Sequence, residues 1–179
     1  FLCGMLSQNF DVGVIFIDAF KKLLKTDLNQ ADWFFKRLEK AFPMIQIIAG
    51  KKGSGKTKRI LDMANASVKE AKGNVLFIDD DKSYTLSLKP QIRFIDASEY
   101  AVKGKAPFYG FLAGILAGNY DISVIYVDAF LKLAQAEAAE LVDFFAQLEH
   151  LVANAQCDLV ISFSEDAENV PESIRKYQI

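Results

Sequence analysis

A glycine-rich loop is the part of this sequence in which residue types and spacing most directly indicate chemistry. Glycines let such a loop wrap with its N–H groups pointing inward, and the helix that follows adds a partial positive charge. In this pattern the lysine reaches the β- and γ-phosphates and the last hydroxyl binds Mg²⁺. The sequence therefore predicts a site for a nucleoside triphosphate. Eight residues satisfy the pattern GxxxxGK[ST]: Gly50, Lys51, Lys52, Gly53, Ser54, Gly55, Lys56 and Thr57.

Four predicted strands end in an aspartate, and these acids are candidates for metal-binding and catalytic roles. In open parallel sheets the ligand lies outside the carboxyl ends of the strands, which is where these side chains are expected. Each aspartate can instead cap the following helix or close a turn, so both roles stay open. The four motifs are FID at 16–18, FID at 77–79, FID at 94–96 and YVD at 126–128.

Strands and helices that alternate along the chain must position these residues. Strands alternating with helices at this spacing predict an α/β fold with a mostly parallel sheet and helices on both faces. The apolar patterns predict strands at 44–49, 75–78, 92–95, 122–127 and 159–163, and helices at 56–72, 107–116 and 134–155.

An internal repeat divides the chain. Residues 1–42 align without a gap to 111–152, and 17 of the 42 positions are identical. We therefore expect 44–179 to be a complete phosphate-loop domain and 1–43 to be a partial repeat of its middle. The repeat carries a strand that ends at Asp18 but no phosphate loop. We expect it to add an edge strand to the same sheet, to be exchanged between protomers of a dimer, or to be a homologous fragment fused to the domain.

The loop and the strand-end acids together resemble the RecA/KaiC-like branch of P-loop NTPases over residues 44–164. In that family the magnesium acid ends a strand separated from the P-loop by intervening strands. A catalytic acid ends the strand that directly follows the P-loop helix. The resemblance implies that Thr57 and Asp128 bind Mg²⁺, and that Asp81 acts with Lys56 in catalysis by orienting and deprotonating the attacking water.

The catalytic acid has two rivals, Asp79 and Asp80, because they lie within two residues of Asp81. The resemblance further implies a γ-phosphate sensor at Ser162 or Ser164, at the end of the last strand. The pattern is also similar to small bacterial ATP-binding proteins that are labelled twitching-motility-like. ATP and Mg²⁺ are therefore the expected ligand and cofactor.

Three functions are compatible with these residues. The first is a slow ATPase or a nucleotide-dependent switch, because an aspartate is one methylene shorter than the glutamate usual in the family. The second is a small-molecule phosphotransferase of the nucleoside type, with a strand-end acid as the base for an acceptor hydroxyl. The third is a non-catalytic module that assembles when nucleotide binds. In such an assembly an arginine finger completes the site at a subunit interface, and Arg93 and Arg175 are candidates for it by residue type alone.

The composition narrows the range of partners. Lys and Arg number 21 against 23 Asp and Glu, so the net charge of −2 provides no basic field for nucleic acid. The apolar runs are too short for a membrane span. Two cysteines and one histidine argue against a disulfide framework and against histidine-based metal binding. We expect a cytoplasmic nucleotide-binding protein, either a homo-oligomer or a domain-swapped dimer.

Overall fold

A five-stranded, all-parallel sheet organises the part of the chain that the structure describes. The computed structural model describes residues 45–166 and 168–179. The sheet order is β1-β5-β4-β2-β3, so the expectation of an α/β fold with a parallel sheet is confirmed. The strands are β1 (Ile45–Ala49), β2 (Asn74–Asp79), β3 (Ile92–Asp96), β4 (Ile122–Val127) and β5 (Asp158–Phe163).

Helices connect these strands. Short 3₁₀ helices lie at Lys82–Ser87, Ala97–Tyr100 and Ala138–Leu141. The α-helices are α1 (Lys56–Ser67), α2 (Lys105–Gly118), α3 (Phe130–Ala134), α4 (Val142–Ala155) and α5 (Glu172–Arg175). The predicted repeat at 1–43, with its strand-end Asp18, lies outside the described residues.

The two faces of the sheet have separate apolar cores. Along β2, Val75 and Phe77 belong to the core under α1, whereas Leu76 and Ile78 belong to the core on the opposite face. This follows from the pleat, because every second residue of a strand points to the same side. Helices α2, α3 and α4 cover the opposite face. The expectation of helices on both faces is therefore confirmed.

Helix α1 is shorter than its apolar pattern predicts. We expected it to extend to Lys72, but it ends at Ser67. The hydroxyl of Ser67 donates to the carbonyl of Ala64 at 2.9 Å, and its carbonyl accepts from the amide of Ala71 at 2.8 Å. These local bonds form a turn after the helix, as serine near a helix end favours.

The prediction of one long helix over 134–155 is wrong, because the helix is interrupted near its start. Gln135 has φ 47°, in the left-handed region that ends α3. A capping box formed by Glu137 and Glu140 then begins a 3₁₀ turn that leads into α4. The apolar pattern is continuous through this break, so helical periodicity alone does not reveal it.

Candidate functional site

The loop between β1 and α1 has the backbone conformation that its glycines predict. Gly53 and Gly55 have φ 84° and 85°, in the left-handed region that glycine adopts without strain. The amide of Gly50 donates to the carbonyl of Phe163 at 3.2 Å and ties the loop to β5. Helix α1 begins at Lys56, and no side chain caps its first turn. The first amides of α1 therefore have no side-chain acceptor among the described residues, as an anion site at a helix N-terminus requires.

The side chain of Lys56 folds back over this loop. Its Nζ donates to the carbonyl of Lys51 at 2.8 Å, and the residue is only 8% exposed. Burial lowers the pKa of Lys56, and the negative charge of Asp128 opposes that shift. Asp128 directly follows β4, so this influence on Lys56 comes from a residue distant in the sequence.

Three polar residues lie side by side at the carboxyl edge of the sheet. The register of β5, β4 and β2 brings the next residue of each strand into one row: Ser162, Asp128 and Asp79. All three are buried. Each lies two positions beyond a residue of the core under α1, so each points toward the face that carries α1 and Lys56.

The strands that lead to Asp79 and Asp128 are neighbours, and the chain leaves them toward opposite faces. After β2, Tyr84 packs against the core under α1. After β4, Phe130 and Leu133 of α3 enter the opposite core. Connections that diverge in this way open a crevice at the carboxyl edge of a parallel sheet, which is where ligands bind.

Asp128 is held in a fixed orientation. The hydroxyl of Ser162 donates to its Oδ1, and the amide of Ala129 donates to the same oxygen at 2.9 Å. The amide of Asp128 donates to the carbonyl of Ile78 at 3.0 Å. The hydrogen bonds described for this carboxylate within 45–166 and 168–179 all use Oδ1, and none of them uses Oδ2.

Asp79 is the second buried carboxyl group of the row, at 2% exposure. Its Oδ1 accepts from the amide of Asp80 at 2.7 Å. Burial raises the pKa of Asp79 to about 7, and the nearby charge of Asp128 adds to the rise. A carboxyl group that titrates near neutrality beside a second carboxylate has the properties of a general base or of a cation site.

The two acids that follow Asp79 have other partners. Asp80 forms an ion pair with Lys132, and this hydrogen bond raises the pKa of Lys132. Asp81 is exposed, and its Oδ1 accepts from the amide of Ser83 at 2.9 Å, which caps the first turn of a 3₁₀ helix. This bond lowers the pKa of Asp81. The catalytic role of Asp81 stays a prediction, and Asp79 is the rival that lies buried beside Asp128.

Other predicted loop residues surround Lys56. Thr57 is half-buried in the first turn of α1, and Lys52 is exposed. The Nζ of Lys51 pairs with Asp166 at 3.0 Å, which links the loop to the segment after β5. The loop residues therefore lie together at the carboxyl end of β1, as the motif predicts.

The remaining candidates lie apart from this row or have structural partners. Ser164 is exposed just beyond β5, and Arg93 is exposed on β3. Arg175 donates to the backbone carbonyls of Glu168 at 3.1 Å and Val170 at 3.0 Å. Asp96, the acid that ends β3, accepts from the amide of its neighbour Ser98 at 2.8 Å and caps a 3₁₀ turn.

The donors at this edge suit a magnesium ion that arrives with a nucleotide. No group of three or more His, Cys, Asp or Glu side chains within the described residues is arranged to hold a metal by itself. Nucleotide-bound Mg²⁺ needs only one or two protein ligands, because phosphates and water supply the others. Oδ2 of Asp128 and the hydroxyl of Thr57 fit this requirement.

The motifs did not single out Lys132, and they ranked Asp79 only as a rival to Asp81. The alternation along β2 contains the missing signal for Asp79. Val75 and Phe77 face α1, so Asp79 shares their side, whereas Asp81 lies beyond the end of the strand. For Lys132 the sequence offers no comparable signal, because its partner comes from a different strand end.

Comparison with known proteins does not assign a family. No protein-family model matches the chain, and no curated protein matches it significantly. Across the described helices, none combines the length and the apolar character needed to cross a membrane. The geometry at the carboxyl edge of the sheet therefore has to support the functional proposal.

Proposed function

We propose that this protein binds ATP with Mg²⁺ at the 50–57 loop, as a nucleotide-binding domain of the RecA/KaiC-like type. The observation that carries the proposal is the placement of two buried, oppositely charged residues, Lys56 and Asp128, on the same face of the sheet. Lys56 begins the helix after the glycine-rich loop, and Asp128 directly follows β4, two positions beyond Tyr126 of the core under α1. A phosphate-binding lysine beside a buried acid is the arrangement that a magnesium–triphosphate complex requires.

The order of the strands supports the RecA/KaiC-like type. Strand β5 lies between β1, which leads into the loop, and β4, which leads into Asp128. The magnesium acid is thus separated from the loop strand by an intervening strand, as the resemblance implies. Asp79, a rival for the catalytic role, ends β2, the strand that directly follows α1, and Asp81, the acid that the resemblance implies as catalytic, lies two residues later.

Each residue of the site has a defined role in this proposal. The amides of Gly53–Lys56 and the ammonium group of Lys56 bind phosphate oxygens. Thr57 and Asp128 hold the Mg²⁺ ion, which neutralises phosphate charge when it is bound. Ser162 fixes the orientation of Asp128 through the hydrogen bond to Oδ1.

Hydrolysis and switching differ in what Asp79 and Asp81 do. In a slow ATPase, one of these carboxylates orients the attacking water and takes its proton. In a switch, nucleotide binding alone moves the loop, because Lys56 leaves the carbonyl of Lys51 for the phosphate. Formation of ADP over hours, measured with and without the Asp79→Asn change, distinguishes the two.

Isothermal titration of the full chain with ATP and Mg²⁺ tests the proposal. We expect micromolar binding that Lys56→Ala reduces by at least tenfold, because the charge-assisted bond to phosphate is lost. Lys69→Ala is the matched control, since Lys69 is exposed beyond the C-terminal end of α1. An unchanged Kd in Lys56→Ala contradicts the proposal, as does absence of binding to the native sequence.

A further inference from the structure

A groove runs beside α1, starting at Thr57 in the first turn and reaching Asn65. It has a volume of about 410 Å³, and its other wall is the 3₁₀ helix Lys82–Ser87. Thr57 and Asn65 are two helical turns apart, so the groove is roughly 12 Å long. Small-molecule pockets enclose about 300–1,000 Å³, and this groove falls at the small end of that range.

The lining of the groove combines an aromatic ring, an apolar floor and polar groups. Tyr84 presents a half-buried ring, and Leu61 forms an apolar surface that is only 8% exposed. Asp62 offers an exposed carboxylate for which no hydrogen bond is described. Such a surface suits a planar ring that stacks on Tyr84 and directs N–H or O–H donors to Asp62.

The end of the groove at Asn65 is fixed by three hydrogen bonds. The side-chain amide of Asn65 donates to the carbonyl of Ser87 and accepts from the backbone amide of Lys89, each at 2.8 Å. The ammonium group of Lys89 donates to the carbonyl of Asn65 at 2.7 Å. These bonds join α1 to the segment after β2, so the groove is preformed. Ligand binding therefore loses little free energy to ordering of the groove.

The other end of the groove adjoins the nucleotide site. Thr57 belongs both to the groove and to the glycine-rich loop. Asp81 caps the 3₁₀ helix that forms the second wall, so its exposed carboxylate precedes Tyr84 by three residues. A ligand in the groove therefore extends toward the residues that are proposed to hold ATP.

We propose that this groove binds a nucleoside-class acceptor alcohol, and that the protein transfers the γ-phosphoryl group of ATP to it. The inference rests on the proposed function. The acceptor's hydroxyl oxygen forms a bond to the γ-phosphorus while the bond from that phosphorus to the β–γ bridging oxygen breaks. ADP leaves with the electron pair, and the hydroxyl proton passes to the carboxylate of Asp81 and then to solvent.

Calorimetric titration of the full chain with adenosine, guanosine, cytidine and thymidine tests the binding site. We expect at least one nucleoside to bind, and Tyr84→Ala to weaken it about tenfold because base stacking is lost. Asp62→Asn changes an exposed side chain, so its effect on nucleoside binding can be measured even if Tyr84→Ala unfolds the protein. Tyr120→Ala is the control, since Tyr120 is 91% exposed and distant in sequence from both walls.

Repeating the titration with Mg²⁺ and a non-hydrolysable ATP analogue separates an acceptor from the nucleotide's own base. Simultaneous binding of analogue and nucleoside supports the proposal. Displacement of the nucleoside by the analogue overturns it, and so does the absence of binding by all four nucleosides. Lys56→Ala should lose ATP but retain the nucleoside, so failure of the groove and failure of the ATP site give different results.

The transfer step is tested by product analysis with ATP and the nucleoside that binds. We expect one nucleoside monophosphate for each ADP formed. ADP formation without phosphorylated nucleoside, or no ADP formation at all while both ligands are bound, overturns the transfer.

Discussion

The hydroxyl of Ser162 donates a hydrogen bond to Oδ1 of Asp128, which joins the ends of the neighbouring strands β5 and β4. The same serine oxygen accepts from the amide of Ala129 at 3.2 Å. The Ser162 hydroxyl therefore forms hydrogen bonds with both the carboxylate of Asp128 and the backbone amide of Ala129. Ser162 and Asp128 are both buried. This relationship fixes the carboxylate that is proposed to bind Mg²⁺.

Replacing Ser162 by alanine should destabilise the protein by about 1.5–3 kcal/mol, because a hydrogen bond to a buried charged group is removed. The same change should weaken ATP binding in Mg²⁺ but have little effect on binding in EDTA. Urea denaturation and calorimetric titration measure the two effects. Ser173→Ala is the matched control, since Ser173 is exposed on α5 and is not a candidate site residue. Equal effects of the two changes would show that the Ser162 hydroxyl has no special role.

Asp79 should make the metal-free protein less stable as the pH rises. Its folded pKa of about 7 lies above the ordinary value of 3.8, so the folded state binds more protons between these pH values. The unfavourable contribution is complete above pH 7. Asp79→Asn should therefore raise the free energy of unfolding by about 2–4 kcal/mol at pH 8 and have little effect at pH 4. Urea denaturation at both pH values in EDTA measures this difference.

Asp81 provides a control, because its pKa is shifted in the opposite direction to that of Asp79. Its pKa is lowered by the hydrogen bond from Ser83, so its stabilising contribution is present above the unfolded pKa and is lost as the pH falls through the folded value. Asp81→Asn should therefore give no increase in stability at pH 8. A similar gain in both variants would mean that general charge reduction, and not the burial of Asp79, is responsible.

Gly73 lies where the chain enters β2, and no larger residue fits there. A Cβ atom at this position would lie 2.0 Å from the backbone carbonyl oxygen of Asp121. Gly73→Ala should destabilise the protein by about 1–3 kcal/mol, because backbone atoms must move. Gly114→Ala is the control: its Cβ meets nothing within 4 Å in the middle of α2, and we expect a gain of about 0.5–1 kcal/mol. Thermal denaturation of both variants measures the difference.

The ion pair between Asp80 and Lys132 should contribute little to stability. Asp80 is 15% exposed but Lys132 is 73% exposed, so water screens the interaction. A double-mutant cycle with Asp80→Ala and Lys132→Ala should give a coupling energy below about 1 kcal/mol, and 1 M NaCl should reduce it. A coupling of several kcal/mol that is insensitive to salt would contradict this prediction.

The sequence by itself determined the five strands and the backbone conformation of the glycine-rich loop. The pattern of residues 50–57 specifies a turn that requires glycine at Gly53 and Gly55, and both adopt positive φ. Short apolar runs specified the five strands, because doubly buried strands need continuous apolar residues, and three of these runs end at an aspartate. These signals are local, so they can be read from neighbouring residues.

The tertiary structure decided which acids meet. Four aspartates end predicted strands in similar motifs, and only the strand order and register bring Asp79 and Asp128 together beside Lys56. The same order leaves Asp96 at the outer strand, where it caps a turn. Strand pairing depends on contacts between residues far apart in the chain, and the energies of those contacts are not encoded in any single motif. Local sequence therefore predicted the candidates, while packing selected among them.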